Sequence, residues 1–190
     1  MNSRLFDPTQ TRGIIGKGDL ALGSYYYGGD DRDTVSFFVA GLTNRLEVAV
    51  NQYYQDSDWT LSARYGIIKE GKEWWHPSLV LGAHDLGTPE ESAVSVTGFK
   101  YLEVPFLKEL WVHAGLFTET ESDGDTRGFG GVSKQFAKRF DFSLLYDGDE
   151  PHAILGANYK GFRLFVMAYE MDHFGAGLSY QFDFLDTVTP

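Results

Sequence analysis

The sequence predicts an all-β protein, a closed up-and-down antiparallel transmembrane β-barrel of about twelve strands. Three observations predict it. Apolar residues recur at every second position in segment after segment, while helical periodicity is almost absent. The connections between these segments alternate between acidic and mixed or basic. The composition joins 16% aromatic residues and 22 glycines to a mean hydropathy of −0.26, too polar for membrane helices yet rich in rings.

The strands follow one another along the chain. Segments 19–27 and 34–40 are apolar with uncertain parity. Arg45 to Asn51 alternates cleanly, with Leu46, Val48 and Val50 opposite Glu47, Ala49 and Asn51. Trp59, Leu61, Ala63, Tyr65 and Ile67 oppose Thr60, Ser62, Arg64 and Gly66; Leu79, Leu81 and Ala83 oppose Ser78, Gly82 and His84. Segment 92–102 is a weaker strand. Leu110, Val112, Ala114 and Leu116 then oppose Trp111, His113, Gly115 and Phe117, and 127–136 follows with Phe129 and Val132 of opposite parity. Phe140, Phe142, Leu144 and Tyr146 oppose Asp141, Ser143 and Asp147, and segment 152–159 comes next. Phe162, Leu164, Val166 and Ala168 oppose Arg163, Met167 and Tyr169, and Ala176, Leu178, Tyr180, Phe182 and Phe184 oppose Gly177, Ser179, Gln181 and Asp183. Strands of roughly 8 to 11 residues cross a bilayer when tilted. A count of ten is the alternative. Residues 1–18 read as a periplasmic segment or plug, 19–184 as the barrel and 185–190 as a tail.

Alternate connections of a meander lie at opposite ends, so the charge alternation gathers acid at one mouth. The ring comprises Asp30, Asp31, Asp33, Asp56, Asp58, Glu90, Glu91, Glu119, Glu121, Asp123, Asp125, Asp147, Asp149 and Glu150. Aromatic residues sort likewise: Tyr25, Tyr26, Tyr27, Tyr53, Tyr54, Trp59, Tyr146 and Tyr169 lie at the acidic end, and Trp74, Trp75, Phe106, Trp111, Phe140 and Phe162 at the other. Two such girdles suit the two membrane interfaces. The inward row comprises Glu47, Asn51, Arg64, His84, His113, Asp141, Arg163, Gln181 and Asp183, and lines the lumen. Burying charges of both signs is costly in a soluble barrel, whereas in a membrane barrel they face water or pair across the lumen. About twelve strands lies between the filled eight-stranded barrel and the open sixteen-stranded one. Inward Phe38, Trp111, Phe117, Phe165 and Tyr169 would narrow the lumen further.

The stretch Phe174-Gly-Ala-Gly177-Leu178-Ser-Tyr180-Gln-Phe182-Asp-Phe184 resembles the C-terminal assembly signal of bacterial outer-membrane barrels, although six residues follow it here. The resemblance implies that Gly177, Leu178, Tyr180, Phe182 and Phe184 are read by the barrel-assembly machinery. Within that class, His76 to Thr88 with Val94-x-Val96-x-Gly98-x-Lys100 resembles a strand–loop–strand segment of YjbH-like outer-membrane proteins, a family linked to exopolysaccharide production. That likeness covers about 40 residues and implies no catalytic residues.

Other classes are disfavoured. No run reaches the roughly 18 apolar residues of a membrane helix. The formal charge of −11, from 16 Lys and Arg against 27 Asp and Glu, argues against nucleic acid. With no cysteine there is no disulfide, thiolate metal site or thiol nucleophile. No Gly-x-Ser-x-Gly or comparable nucleophile spacing accompanies the five histidines, so the chain reads as no enzyme. Glu119 to Asp125 imitates half a calcium loop, but the closing position is Gly130, leaving no cofactor beyond loose divalent cations bridging acidic loops to lipopolysaccharide. The chain shows no secretory signal, so an outer-membrane location requires that one has been removed; a cytosolic location is the other reading.

The expected function is a small passive, cation-favouring pore in the outer membrane, among lipid and lipopolysaccharide. The alternatives are a non-conducting anchor or accessory of an envelope or exopolysaccharide export assembly, with a periplasmic or envelope partner, and a soluble ligand-binding barrel.

Overall fold

The computed structural model describes residues 14–29, 32–87, 92–104, 108–120, 125–137 and 139–183; the side chains of 108, 109 and 183 are outside that description. Twelve strands run in sequence order: β1 Asp19–Tyr27, β2 Asp33–Gly41, β3 Leu46–Tyr53, β4 Asp58–Ile68, β5 Ser78–Leu86, β6 Ala93–Val104, β7 Lys108–Glu119, β8 Thr126–Phe136, β9 Phe140–Tyr146, β10 Pro151–Tyr159, β11 Phe162–Tyr169 and β12 His173–Asp183. Each pairs antiparallel with its chain neighbours, and β1 pairs with β12 from Asp19↔Asp183 to Tyr27↔Gly175, closing the barrel. Closure gives every strand a hydrogen-bonded neighbour on both sides. The meander sends successive connections to opposite ends, so the acidic turns share one rim and the mixed or basic turns the other, the basic rim.

The turn chemistry is local. Lys160 and Gly161 both adopt positive φ, 49° and 85°, as a two-residue hairpin turn between right-twisted strands requires. On β5, Asp85 at φ 52° lies beside the β4–β5 register shift between Leu61 and Ala63 and points inward, buried.

The two faces of the wall are chemically inverted relative to a soluble barrel. Leu22, Phe38, Leu61, Leu81, Leu116, Leu144, Leu155, Leu164 and Leu178 all point outward with 40–60% of their surface exposed. Among described side chains at outward strand positions, the charged ones are Lys100 and Lys134, both towards the basic rim.

The core is the lumen itself. Tyr25, Tyr27, Val35, Phe37, Tyr53, Ile154, Phe165, Met167 and Tyr169 form a cluster across β1–β3 and β10–β11, each exposed by 6% or less. Three rings assigned only to the outer girdle, Tyr25, Tyr27 and Tyr53, therefore lie inside; Tyr169 and Trp111, placed at girdle level but with inward parity, point inward, and Phe37 rather than Phe38 does so on β2. Tyr27 packs on Tyr169 at 4.9 Å, and Tyr25 on Phe165 at 6.4 Å. Inward glycines make room for them. A Cβ on Gly177 would stand 2.4 Å from Phe165 Cζ and 2.5 Å from Tyr25 Cβ. Large and small residues thus alternate across neighbouring strands, which is how a barrel interior fills.

Gly177→Val is accordingly expected to lower folding stability by about 1–3 kcal/mol, through overpacking. A shift in the urea midpoint at unchanged slope checks this; an unshifted midpoint would show the rings to be loosely packed.

Candidate functional site

The lumen holds three layers that differ in chemistry. Nearest the basic rim is a charged layer. Glu47 on β3 and Arg64 on β4 are directly opposed in register and form a buried ion pair. Asp141 on β9 accepts two bonds from Arg163 on β11, from Nη2 at 2.6 Å and Nε at 3.2 Å, and one from Asn158 Nδ2. Gly156 stands between these strands, and a Cβ there would come within 2.8 Å of both Asp141 and Arg163. The Arg163 guanidinium also lies 5.0 Å from the Phe165 ring centre, joining this layer to the aromatic one. A cavity of about 110 Å³ lies among Glu47, Arg64, Asp141, Ser143, Asn158 and Arg163.

The N-terminal segment reaches this cavity. The Ile15 amide donates to Glu47 Oε2 at 2.8 Å, and its side chain packs against the luminal core. Gly18 N donates to Gly41 O at 2.9 Å, and a Cβ on Gly41 would overlap Gly16 O at 1.9 Å. Residues 14–18 thus sit in the basic mouth; residues 1–13 of the proposed plug lie outside the described residues.

The middle layer is polar and uncharged in part. His84 Nε2 and Ser95 Oγ are 2.8 Å apart, both buried, and Gly82 leaves the space they occupy. Thr60 Oγ1 donates to Asp85 Oδ1 at 2.8 Å, and Ser133 bonds Ser143 at 2.8 Å. A His–Ser contact alone does not make a nucleophile site, which needs a group orienting the histidine and access for substrate; both side chains are shut in the wall's interior. His113 is half-buried and stacked on Phe99 at 5.7 Å, with Nδ1 lacking a hydrogen-bond partner among the described residues.

The third layer, below the acidic rim, is the aromatic cluster capped by His152. His152 is fully buried and stacks on Tyr169 at 4.8 Å. The Glu170 amide donates to its Nδ1 at 3.0 Å, so the ring proton sits on Nε2, which faces Asp147 Oδ2 at 3.0 Å. One histidine thereby ties the β9–β10 turn to the β11–β12 turn. Burial pushes the Asp147 carboxyl upward, but the bond from His152 and those from the amides of Glu150 and Asp149 outweigh it and hold the group below 3.8.

Of the residues assigned to the lumen, Glu47, Arg64, His84 and Asp141 are buried inside, Asn51, His113 and Arg163 are half-buried, and Gln181 is exposed at the basic mouth. The Asp183 side chain is outside the described residues. The acids assigned to the mouth separate into two kinds. Asp33 is buried and accepts from Thr34 N and Gln55 N, Asp149 pairs with Arg127, and Asp147 holds His152. Asp56, Asp125 and Glu150 are exposed, and Asp58 and Glu119 half-buried at strand ends. Asp30, Asp31, Glu90, Glu91, Glu121 and Asp123 lie outside the described residues. On β12, Leu178, Tyr180 and Phe182 face outward and Gly177 inward; Phe184 lies outside the described residues. Set against known proteins, the chain matches no family model and no curated relative.

Removing one member of the Asp141–Arg163 pair leaves a buried charge uncompensated. Arg163→Met is expected to cost about 3–5 kcal/mol, and the double change Asp141→Leu/Arg163→Met to recover most of it; equal losses in single and double variants would contradict the pairing. The depressed Asp147 value sets a pH window. The contact stabilises the folded rim above 3.8 and its contribution is lost as pH falls through the lower folded value. Asp147→Asn should lower urea resistance at neutral pH and match the parent in strong acid.

Proposed function

We propose that this chain spans a lipid bilayer as a β-barrel with a packed interior and acts as a non-conducting anchor for an envelope assembly in the bacterial outer membrane. The observation that carries the reading is the inversion of the wall: apolar side chains outward around the full circumference, ion pairs and hydrogen-bonded polar groups inward. Water gains nothing from an apolar exterior of this extent, whereas a bilayer does. Soluble ligand-binding barrels carry the opposite arrangement. No described helix is long and apolar enough to cross a membrane.

The packing favours an anchor over a pore. A water-filled channel would leave luminal side chains accessible, yet Val35, Phe165, Met167 and Ser143 are each 1% exposed and Ile154 and His152 not at all. The cavity of about 110 Å³ holds a few waters and lies on the basic side of the aromatic layer. With the lumen filled, interaction falls to the two oppositely charged rims. The outward Leu178, Tyr180 and Phe182 row on β12 supports recognition by the barrel-assembly machinery.

The folded protein should migrate faster than its boiled form in detergent gels and show no conductance steps in planar bilayers. Discrete cation-selective steps would restore the pore reading, and a detergent-free soluble monomer would remove the membrane one.

A further inference from the structure

The connection between β4 and β5 does not leave the barrel as an open loop. At the end of β4 a register shift between Gly66 and Ile68 puts Ile67 and Ile68 both outward, 40% and 42% exposed. The chain then folds back over the outer side of β6. There β5 has ended at Ser78, opposite Phe99, so β6 continues without a partner on that side. Glu70 takes over the missing partner's role: its Oε1 accepts from the Tyr101 amide at 2.8 Å and lies 3.1 Å from Lys100 Nζ. Lys100 Nζ also donates to Gly71 O at 2.7 Å and His76 O at 3.4 Å. Gly71 N donates to His76 O, and His76 N to Glu73 O, closing the loop on itself. The outward lysine is thereby covered, with 12% of its side chain exposed.

This clasp displays two tryptophans. Trp74 and Trp75 pack edge to face at 6.1 Å, 76% and 63% exposed, at the tip of a segment held by five hydrogen bonds. Holding bulky apolar rings in water by this many contacts has no stabilising logic unless something covers them. Two features name the cover. Ile67 and Ile68 make the clasp continuous with the apolar wall, so whatever medium meets the wall also reaches its edge. Lys69 and Lys72 are exposed in the same connection as the rings, against one exposed acid there, Glu73, while Glu70 is taken up by Lys100; Arg45 is exposed on the adjacent β2–β3 turn, and this local excess of cations complements phosphate.

We propose that the Trp74–Trp75 clasp is a phospholipid-interface anchor, seated at headgroup level in the leaflet at the basic rim and selecting anionic phospholipid through Lys69 and Lys72. The inference rests on the membrane reading and adds a leaflet, a lipid class and the residues that bind it. Tryptophan suits this depth because its ring is apolar and its N–H polar. Lys100 is a positioning residue: it touches no lipid and holds the clasp on the wall.

The test uses full-length protein with either Trp74 and Trp75 as reporters (Trp59→Phe/Trp111→Phe) or Trp59 alone (Trp74→Phe/Trp75→Phe/Trp111→Phe). Both are folded into phosphatidylcholine vesicles with and without phosphatidylglycerol, carrying bromine either shallow or deep on the acyl chains. The proposal expects blue-shifted Trp74/Trp75 emission, quenched more by shallow than by deep bromine and more still with phosphatidylglycerol. Lys69→Gln/Lys72→Gln should abolish the gain from anionic lipid, and Lys100→Met should weaken quenching while heat-modifiable migration persists. Quenched Trp59 beside unquenched, water-exposed Trp74/Trp75 emission overturns the anchor and leaves the membrane barrel standing. Quenching of neither overturns both.

Discussion

A closed antiparallel barrel gives every strand residue one of two environments, outside or lumen, and successive residues must alternate between them. Everything else in this molecule follows from which set is apolar. The outward set carries most of the leucines, so the lumen takes most of the charged and polar strand residues, together with the rings that fill its remaining volume. Each luminal charge then needs a partner on a neighbouring strand, because an unpaired buried ion costs several kcal/mol. Glu47–Arg64 and Asp141–Arg163 meet that demand in two different ways, the first across one strand pair and the second by spanning β10, where Gly156 leaves the path open.

The two ends of the lumen divide the work of closing it. Below the acidic rim, rings from β1, β2, β3 and β11 meet across the axis over glycines of β12, and His152 locks two turns above them. Towards the basic rim the ion pairs surround a small cavity whose mouth receives Ile15. The hydrogen bond from the Ile15 amide to Glu47 ties the entering chain to the same ion pair that staples β3 to β4. The acidic end is rigid through shape, the basic end through charge.

Much of this was legible in the sequence where alternation was unbroken. In β3, β4, β9 and β12 the polar member of each pair marks the inward face, and Glu47, Arg64, Asp141 and Gly177 follow directly. The direction is not legible in β2, where Phe37, Phe38, Val39 and Ala40 form a run without polar punctuation, so the sequence points Phe38 where Phe37 in fact goes. The direction of Tyr25, Tyr27 and Tyr53 is hidden for a related reason: their level along the strand suits an interface girdle, but their parity sends them inward. Contacts between turns left no local trace. His152 is one residue inside its strand, next to the Asp-Gly-Asp-Glu turn, and that proximity of histidine to acid was the available signal. The clasp read as a mixed-charge connection because its organising residue, Lys100, lies about 30 residues away on another strand.

The inverted wall is the central claim, and the absence of cysteine allows a direct probe of it. Single spin labels at Leu61→Cys, Leu164→Cys and, facing inward, Ala49→Cys would be compared in vesicles for relaxation by oxygen, which concentrates in lipid, and by a water-soluble paramagnet. The account predicts that the labels at 61 and 164 respond strongly to oxygen and weakly to the water-soluble agent, while the label at 49 responds weakly to both. Strong relaxation of the outward labels by the water-soluble agent would contradict it.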